Sequence, residues 1–235
     1  MGSNKKTKTR MRYYPAYLDI QKRKCLVVGG GPVGTRKVKM LLKCGASVTV
    51  ISPVVSEQLK NLADSGAINL QVRSYQSADL AGIFLVIGAT DDENLNRQIS
   101  EDANRLNLLC NIADRPQDCN FILPSIVSRG DLTISISTSG KSPALAKKLR
   151  KILEDQFGEE YAVALQLMGA IRKKLLRRSH EPEAHKELFE QLINSGLADM
   201  IRNNQTADID TLLLEVLGEG YAFDDLIGKA DQTLK

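Results

Sequence analysis

No apolar run in this 235-residue chain reaches the roughly 18 to 20 residues needed to cross a bilayer, so no membrane partner is expected. Histidine is nearly missing. The two present, His180 and His185, fall in a polar stretch that reads as a surface helix, which argues against a histidine metal site; no resident metal is expected. The four cysteines, Cys25, Cys44, Cys110 and Cys119, stand far apart without a C-x-x-C pair. Three lie beside or within apolar runs and read as buried free thiols, which suits a reducing cytoplasm. The first ten residues are basic and polar without an apolar core, so they are no secretory signal; residues 1–12 read as a disordered leader. The net charge of +4 is mild. It suits an anionic small substrate as well as a nucleic acid. No zinc-finger spacing or aromatic RNA-binding signature accompanies the basic clusters, so no nucleic-acid partner is expected.

What the chain does carry is organised around Cys25-Leu26-Val27-Val28-Gly29-Gly30-Gly31-Pro32-Val33-Gly34. An apolar run ends in glycines, and a helical pattern follows with Gly34, Val38, Leu41 and Leu42 on one face. Gly29, Gly31 and Gly34 fit G-x-G-x-x-G. In that arrangement the first glycine makes the tight turn, the second lets the backbone approach a pyrophosphate, and the third lets helix and strand pack closely. The N–H groups at the helix start would face the phosphates.

Tyr17 to Ile20 is a possible short strand before this unit. After it, Ser47 to Ile51 reads as a parallel strand ending in Ser52-Pro53, with neither the acid that often binds an adenosine ribose nor an adjacent arginine for a 2′-phosphate. Ser56 to Ala63 reads as a short helix, Ile68 to Val72 as the next strand, and Ile83 to Ile87 as a wholly apolar strand buried on both faces. Gly88-Ala89-Thr90 follows, and Thr90 with Glu93 has the spacing of a capping box. Asn94 to Asn107 then reads as a helix and Leu108 to Ile112 as a strand, followed by Ala113-Asp114-Arg115. This alternation argues an α/β, Rossmann-like doubly wound parallel sheet, whose ligands bind beyond the carboxyl ends of the strands.

Beyond Asp114 the pattern changes. Asn120 to Leu123 and Leu132 to Ser137 read as two strands. Gly140-Lys141-Ser142 does not complete a phosphate-loop template, because Ser135 stands where the earlier glycine is needed. Ser142 is a plausible N-cap for a helix with Pro143 in its first turn. The helix from Ala144 to Phe157 is basic on one face through Lys147, Lys148, Arg150 and Lys151, either a solvated face or a wall against an acidic ligand. The rest reads as helical: Glu159 to Arg178, Pro182 to Asn194 and two shorter helices up to about Gly228. The expected organisation is a leader (1–12), an NAD-binding domain (13–113), a small α+β dimerisation region (114–152) and a C-terminal helical domain (153–235).

Several of these stretches together resemble the precorrin-2 dehydrogenase / sirohydrochlorin ferrochelatase family, the N-terminal region of siroheme synthases. They are Tyr17 to Ile20, Cys25 to Gly34 with Lys37, Val48 to Pro53, Ala89 to Asp92, Asn111 to Asp114, Asn120 to Ser125 and Ser137 to Ala146. The resemblance covers about residues 13 to 157, and with no methyltransferase domain following, it is to the free-standing form. It implies NAD-dependent oxidation of precorrin-2 to sirohydrochlorin, ferrous-iron insertion to siroheme in some members, and a homodimer that exchanges the region after Asp114. It puts the family's essential aspartate at Asp114, and the phosphorylatable serine of the fused form at Thr138. The dinucleotide site then comprises Gly29, Gly31, Pro32, Val33, Gly34, Ser52, Pro53, Val54, Gly88, Ala89 and Thr90. A many-carboxylate tetrapyrrole would meet Arg115, Ser137, Thr138, Lys141 and Lys147, with Arg129 a further cation. A carboxylate beside the nicotinamide suits a general base. Two alternatives stand beside this: a non-catalytic NADH-sensing dimer that reports to a partner, suggested by the missing ribose acid, and a chelatase acting alone or alongside oxidation.

Overall fold

The structure, a computed structural model, describes residues 12–178 and 182–228. Apart from Arg12, the leader expected over 1–12 lies outside the described residues, as does His180. The chain divides into two compact units between Leu123 and Pro124.

The first unit runs β1 (Lys24–Gly30), α1 (Pro32–Lys43), β2 (Ser47–Val55), α2 (Glu57–Asp64), β3 (Asn69–Gln71), β4 (Leu85–Gly88), α3 (Glu93–Arg105) and β5 (Leu109–Ile112). The strands form one parallel sheet in the order β3-β2-β1-β4-β5. Side chains alternate across a strand, so the apolar run of β1 serves two cores. Cys25 and Val27 join Val48, Val50, Leu85 and Ile87 beneath Val38, Leu41 and Leu59. Leu26 and Val28 join Ile51, Val86, Cys110 and Ile112 with Ile99 and Ala103 of α3. Cys25, Cys44, Cys110 and Cys119 are free; Cys25 and Cys110 are buried, Cys119 is half-buried and Cys44 is exposed. Burial pushes the Cys25 thiol up to about 11 and the Cys110 thiol up to about 12.

Three local expectations are corrected. Tyr17 to Ile20 is not a strand, although Ile20 is buried in the first core. Asn120 to Leu123 is not a strand either. Its apolar residues mislead because Phe121 packs on the first core while the Asn120 side chain bonds to the edge of β5, accepting from the Cys110 N–H (2.8 Å) and donating to the Leu108 carbonyl (2.7 Å). Thr90 and Glu93 do not form a capping box. Asp92 is the N-cap of α3, and its carboxylate accepts from the N–H groups of Asn94 (2.9 Å) and Leu95 (3.1 Å).

The second unit opens with an antiparallel hairpin, β6 (Ser125–Arg129) and β7 (Leu132–Ile136). Helices α4 (Pro143–Gln156), α5 (Glu160–Arg178), α6 (Pro182–Asn194), α7 (Leu197–Arg202), α8 (Thr206–Leu217) and α9 (Phe223–Gly228) follow. Ser142 caps α4 as its sequence suggests, accepting from the Leu145 N–H at 3.2 Å, with Pro143 in the first turn. Among the described residues three short helices, not two, follow α6, because Asn203–Gln205 breaks the segment into α7 and α8. Leu167, Ile171, Leu192, Ile209 and Leu213 form the centre of the helical core. Among the described residues no helix is long and apolar enough to cross a membrane.

Glu160 opens α5 as a buried carboxylate. It accepts from Arg202 Nε of α7 at 3.1 Å and from the Gly158 N–H at 3.2 Å. Arg202 holds the Glu160 carboxyl below its usual range. A carboxyl held lower in the folded than in the unfolded chain adds stability above the unfolded value and loses it as pH falls through the folded one. Thermal unfolding from pH 7 towards pH 3 is therefore expected to show an acid-side loss of melting temperature. In Glu160→Gln that loss should be smaller, from a lower starting value at neutral pH.

Candidate active site

The site is built at the carboxyl ends of β1, β2, β4 and β5. The sheet order turns at β1, whose neighbours β2 and β4 lead away in opposite directions, and the crevice of such a sheet lies at this reversal. Gly29 has φ +121°, a conformation that L side chains rarely adopt, and a Cβ there would stand 2.2 Å from the Ala89 carbonyl oxygen. A Cβ on Gly34 would stand 2.1 Å from the Gly29 carbonyl oxygen, so α1 sits directly against the turn. Gly31 differs: its absent Cβ meets nothing within 4 Å. It occupies the N-cap of α1 with no side-chain cap, and Pro32 stands in the first turn. The turn thus offers a bare backbone and a helix N-terminus facing open space, a cradle that fits a pyrophosphate. Pro32 is exposed and Val33 half-buried at the same opening.

The end of β2 is more elaborate than expected. The strand does not stop at Ile51. Val28 pairs with Ile51 and Gly30 with Val55, so Ser52, Pro53 and Val54 bulge out opposite the single residue Gly29. Ser52 Oγ donates to the Val54 carbonyl at 2.6 Å and folds the bulge. Pro53 and Val54 are exposed beside the glycine turn. Gly30, for which the sequence suggested no role, is needed here, because its Cβ would lie 2.3 Å from the Val54 carbonyl oxygen. Thr35, also unassigned from sequence, ties the parts together: its hydroxyl donates to Gly31 O (2.9 Å) and lies 2.9 Å from Ser56 Oγ. The bulge carries no acid, and the next one, Glu57, pairs with Lys60 at 3.2 Å.

On the other side of β1, the Ala89 N–H donates to the Val28 carbonyl at 2.7 Å, continuing β4 past its end. Gly88 is buried, its missing Cβ replaced by Ile112 and Asn96 side-chain atoms. Thr90 has a structural occupation: its hydroxyl donates towards Asp92 O (3.1 Å) and Asn96 Oδ1 (3.0 Å), while Asn96 Nδ2 donates to Thr90 O (2.8 Å). Asn96 is buried, and nothing in its sequence surroundings marked it for this role.

The next strand end carries Asp114. The Ala113 N–H donates to Gly88 O at 2.8 Å, so Asp114 follows one residue beyond the ladder, on the strand beside β4 and roughly 10 Å across the sheet from the glycine turn. Its side chain is exposed and its backbone left-handed, φ +60°. Lys37, one turn along α1 from Gly34, is half-buried close enough to feel Asp114 and Cys119. Burial holds the Lys37 ammonium below the usual lysine range, Arg36 adds to this, and Asp114 and Cys119 act in the opposite sense. The next residue, Arg115, is engaged by an ion pair with Glu93 at the start of α3.

Ser137, Thr138, Lys141 and Lys147 all belong to the second unit. The loop after β7 folds on its own hydroxyls. Ser137 Oγ accepts from the Ser139 N–H (3.1 Å), and Thr138 Oγ1 accepts from the Ser142 N–H (3.2 Å) and donates to Ser142 O (3.1 Å). Lys141 and Lys147 are exposed. Arg129 is spent within this unit, donating to Glu154 O at 3.0 Å and lying 3.4 Å from Glu159. Among the described residues no cluster of three His, Cys, Asp or Glu side chains is arranged to hold a metal ion.

The sheet order and the side-chain-free turn at the end of β1 define a dinucleotide-binding protein of the Rossmann type. Comparison with known proteins narrows this. Residues 16–125 match a family model described as putative NAD(P)-binding, and residues 129–156 match one described as sirohaem biosynthesis protein central. The chain is 37% identical to a siroheme synthase of Nitrosococcus oceani, over 90% of this chain and 45% of that protein. It is 34% identical to a siroheme synthase of Photobacterium profundum, over 88% of this chain and 44% of that protein. A solved structure of SirC, a precorrin-2 dehydrogenase, superposes with a TM-score of 0.71 at 28% identity, over 87% of this chain and 98% of that one. The chain is thus similar to siroheme synthases over part of their length and shares its fold with a precorrin-2 dehydrogenase. It spans about 45% of the length of the curated relatives it matches.

Gly31→Ala separates folding from binding. The added methyl meets no protein atom, so the melting temperature should stay at the wild-type value, while NAD affinity measured by calorimetry should fall at least about tenfold as the backbone loses its close approach to the pyrophosphate. Gly29→Ala should lose stability as well as binding.

Proposed function

We propose that this chain binds NAD and oxidises precorrin-2 to sirohydrochlorin, with Asp114 as the general base. The observation that carries the reading is the Asp114 carboxylate, exposed on the strand end beside β4 and within reach of the Lys37 charge. The α1 N-terminus at Gly31-Pro32-Val33-Gly34 would hold the pyrophosphate, the Ser52-Pro53-Val54 bulge would border the adenosine half, and Gly88-Ala89-Thr90 would border the nicotinamide half. NAD, when bound, supplies the hydride acceptor. Introducing the double bond removes a hydride and a proton from the macrocycle, and Asp114 takes the proton. Lys37 lies close enough for its charge to act on that carboxylate.

The substrate is a tetrapyrrole bearing many carboxylates. The exposed ammonium groups of Lys141 and Lys147 suit such a ligand; Ser137 and Thr138 would act mainly by shaping the loop, and Arg115 would meet a ligand carboxylate by giving up its Glu93 partner. The relatives' name, siroheme synthase, supports a second activity here, insertion of ferrous iron into sirohydrochlorin with the iron handled as a substrate. Free thiols at Cys25, Cys44, Cys110 and Cys119 support a cytoplasmic location. The working form we infer is a homodimer with exchanged segments. Leu145, Leu149 and Ile152 support it: they stand 48%, 37% and 49% exposed at helical spacing along α4.

Two experiments test these statements. Precorrin-2 and NAD mixed anaerobically with the protein should yield reduced nicotinamide and sirohydrochlorin. In Asp114→Ala, kcat should fall by about 10²–10⁴-fold with NAD affinity unchanged. Selective NADH binding by the wild type without any turnover would favour the sensing dimer instead. For the assembly, sedimentation should give twice the chain mass, and Leu149→Glu should shift the population towards the single chain; a wild-type protein that sediments as one chain would overturn the dimer.

A further inference from the structure

Asp114 sits in a turn whose geometry needs a holder. After Ile112 the chain leaves the sheet, enters the left-handed region at Asp114, forms a short 3-10 turn at Pro116–Asp118 and returns along the open edge of β5. Left-handed backbone is uncommon for a residue other than glycine, although aspartate enters it more readily than most. The foot of the turn is fixed by Asn120, through the Cys110 N–H, the Leu108 carbonyl and a backbone bond from the Asn120 N–H to Cys110 O at 3.1 Å. Those contacts lie well before Asp114. Nearer to it the backbone supplies the Ala113 N–H to Gly88 O bond (2.8 Å) before Asp114, and across and after it the long Arg115 N–H to Ile112 O bond (3.3 Å) and the Asp118 N–H to Arg115 O bond (3.1 Å).

Across Asp114 itself the one backbone bond is the long one, and a sulfur atom reinforces it. Cys119 Sγ accepts from the Ile112 N–H at 3.1 Å. Its single S–H lies within reach of two carbonyls, Arg115 O at 3.1 Å and Ile112 O at 3.3 Å. The Asn111 side-chain amide approaches the same sulfur at 3.6 Å. The thiol therefore bonds to residues on both sides of Asp114, two before and one after. The Ile112 N–H is the outward-facing donor of an edge strand, which would otherwise lie unpaired inside the turn. The neighbouring outward donor, Cys110 N–H, is met by Asn120 in the same way. Burial raises the thiol's pKa, so Cys119 is held as a protonated donor rather than a reactive thiolate.

We propose that Cys119 is a positioning residue for Asp114: its thiol clamps Ile112 to Arg115 and so fixes where the carboxylate stands. This rests on the reading of Asp114 as the general base. Cys119 touches neither substrate nor cofactor in this account; it acts through the backbone. A general base displaced by about 1 Å forfeits up to about a hundredfold in rate while leaving cofactor binding alone.

The test compares wild type, Cys119→Ala and Cys119→Ser in the full chain, with Cys25→Ala as a control for loss of stability without loss of the clamp. Cys119→Ala is expected to lower kcat about tenfold to a hundredfold with NAD affinity and the KM for NAD unchanged. Cys119→Ser should restore most of kcat, because a hydroxyl can accept from Ile112 and donate to a carbonyl. Cys25→Ala should lower the melting temperature with kcat retained. Independently of turnover, amide hydrogen exchange should rise at residues 112–118 in Cys119→Ala and stay unchanged around Gly29. A Cys119→Ala protein with wild-type kcat, or one whose exchange over 112–118 is unaltered, overturns the clamp. So does a fall in kcat that serine does not rescue, and if the alanine protein does not fold, the serine protein decides by keeping or losing wild-type kcat. If wild type itself fails to oxidise precorrin-2, the base assignment falls, and the exchange measurement still decides whether the thiol holds the turn.

Discussion

Three backbones approach one another around Gly29 and Gly30 with no room between them for a carbon atom. A Cβ at Gly29 would stand 2.2 Å from the Ala89 carbonyl oxygen, one at Gly30 2.3 Å from that of Val54, and one at Gly34 2.1 Å from that of Gly29 itself. This closeness lets β2 bulge and re-pair at Val55, lets β4 continue through Ala89, and brings the start of α1 to the mouth of the sheet. Gly31 is then the one glycine of the cluster whose missing side chain faces space rather than protein. Packing forces and ligand access are thus divided among adjacent residues of a single turn.

The other half of the site depends on how the edge of the sheet is closed. Among the described residues β5 pairs with a strand on one side only, and its outward N–H groups at Cys110 and Ile112 are met by the Asn120 side chain and the Cys119 thiol. Closing the edge in this way folds the turn back on itself and leaves Asp114 exposed in a left-handed conformation at its tip. Lys37 reaches the same neighbourhood from α1, which is itself seated by Gly34. The cation comes from α1 and the thiol and carboxylate from the single turn after β5, and they meet because β1, β4 and β5 are neighbours.

Much of this is legible in the sequence. The apolar run of β1, the glycines after it and the alternation of strand and helix point to a doubly wound sheet, and Ser142-Pro143 marks the start of α4. What misleads is local chemistry with more than one use. Thr90 and Glu93 have capping-box spacing, but Asp92 offers a better acceptor one residue before the helix, leaving Thr90 to bond with Asn96. Asn120 to Leu123 looks like a strand by apolar content, yet its asparagine and Phe121 serve β5 and the first core. Arg115 reads as a cation free for substrate, whereas in the fold Glu93 is its neighbour.

The order of residues by itself determined the repeating strand–helix unit, the glycine turn and the presence of a carboxylate just past a strand end, because each rests on contacts within a few residues along the chain. The tertiary structure alone decided the bulge opposite Gly29, the Thr35–Ser56 tie, the Lys37 charge near Asp114 and the thiol clamp at Ile112 and Arg115. The first three need groups from different strands or loops to arrive at one point, a meeting set by sheet order and register; the clamp closes within residues 112–119 and depends on the left-handed turn at Asp114 that brings its ends together.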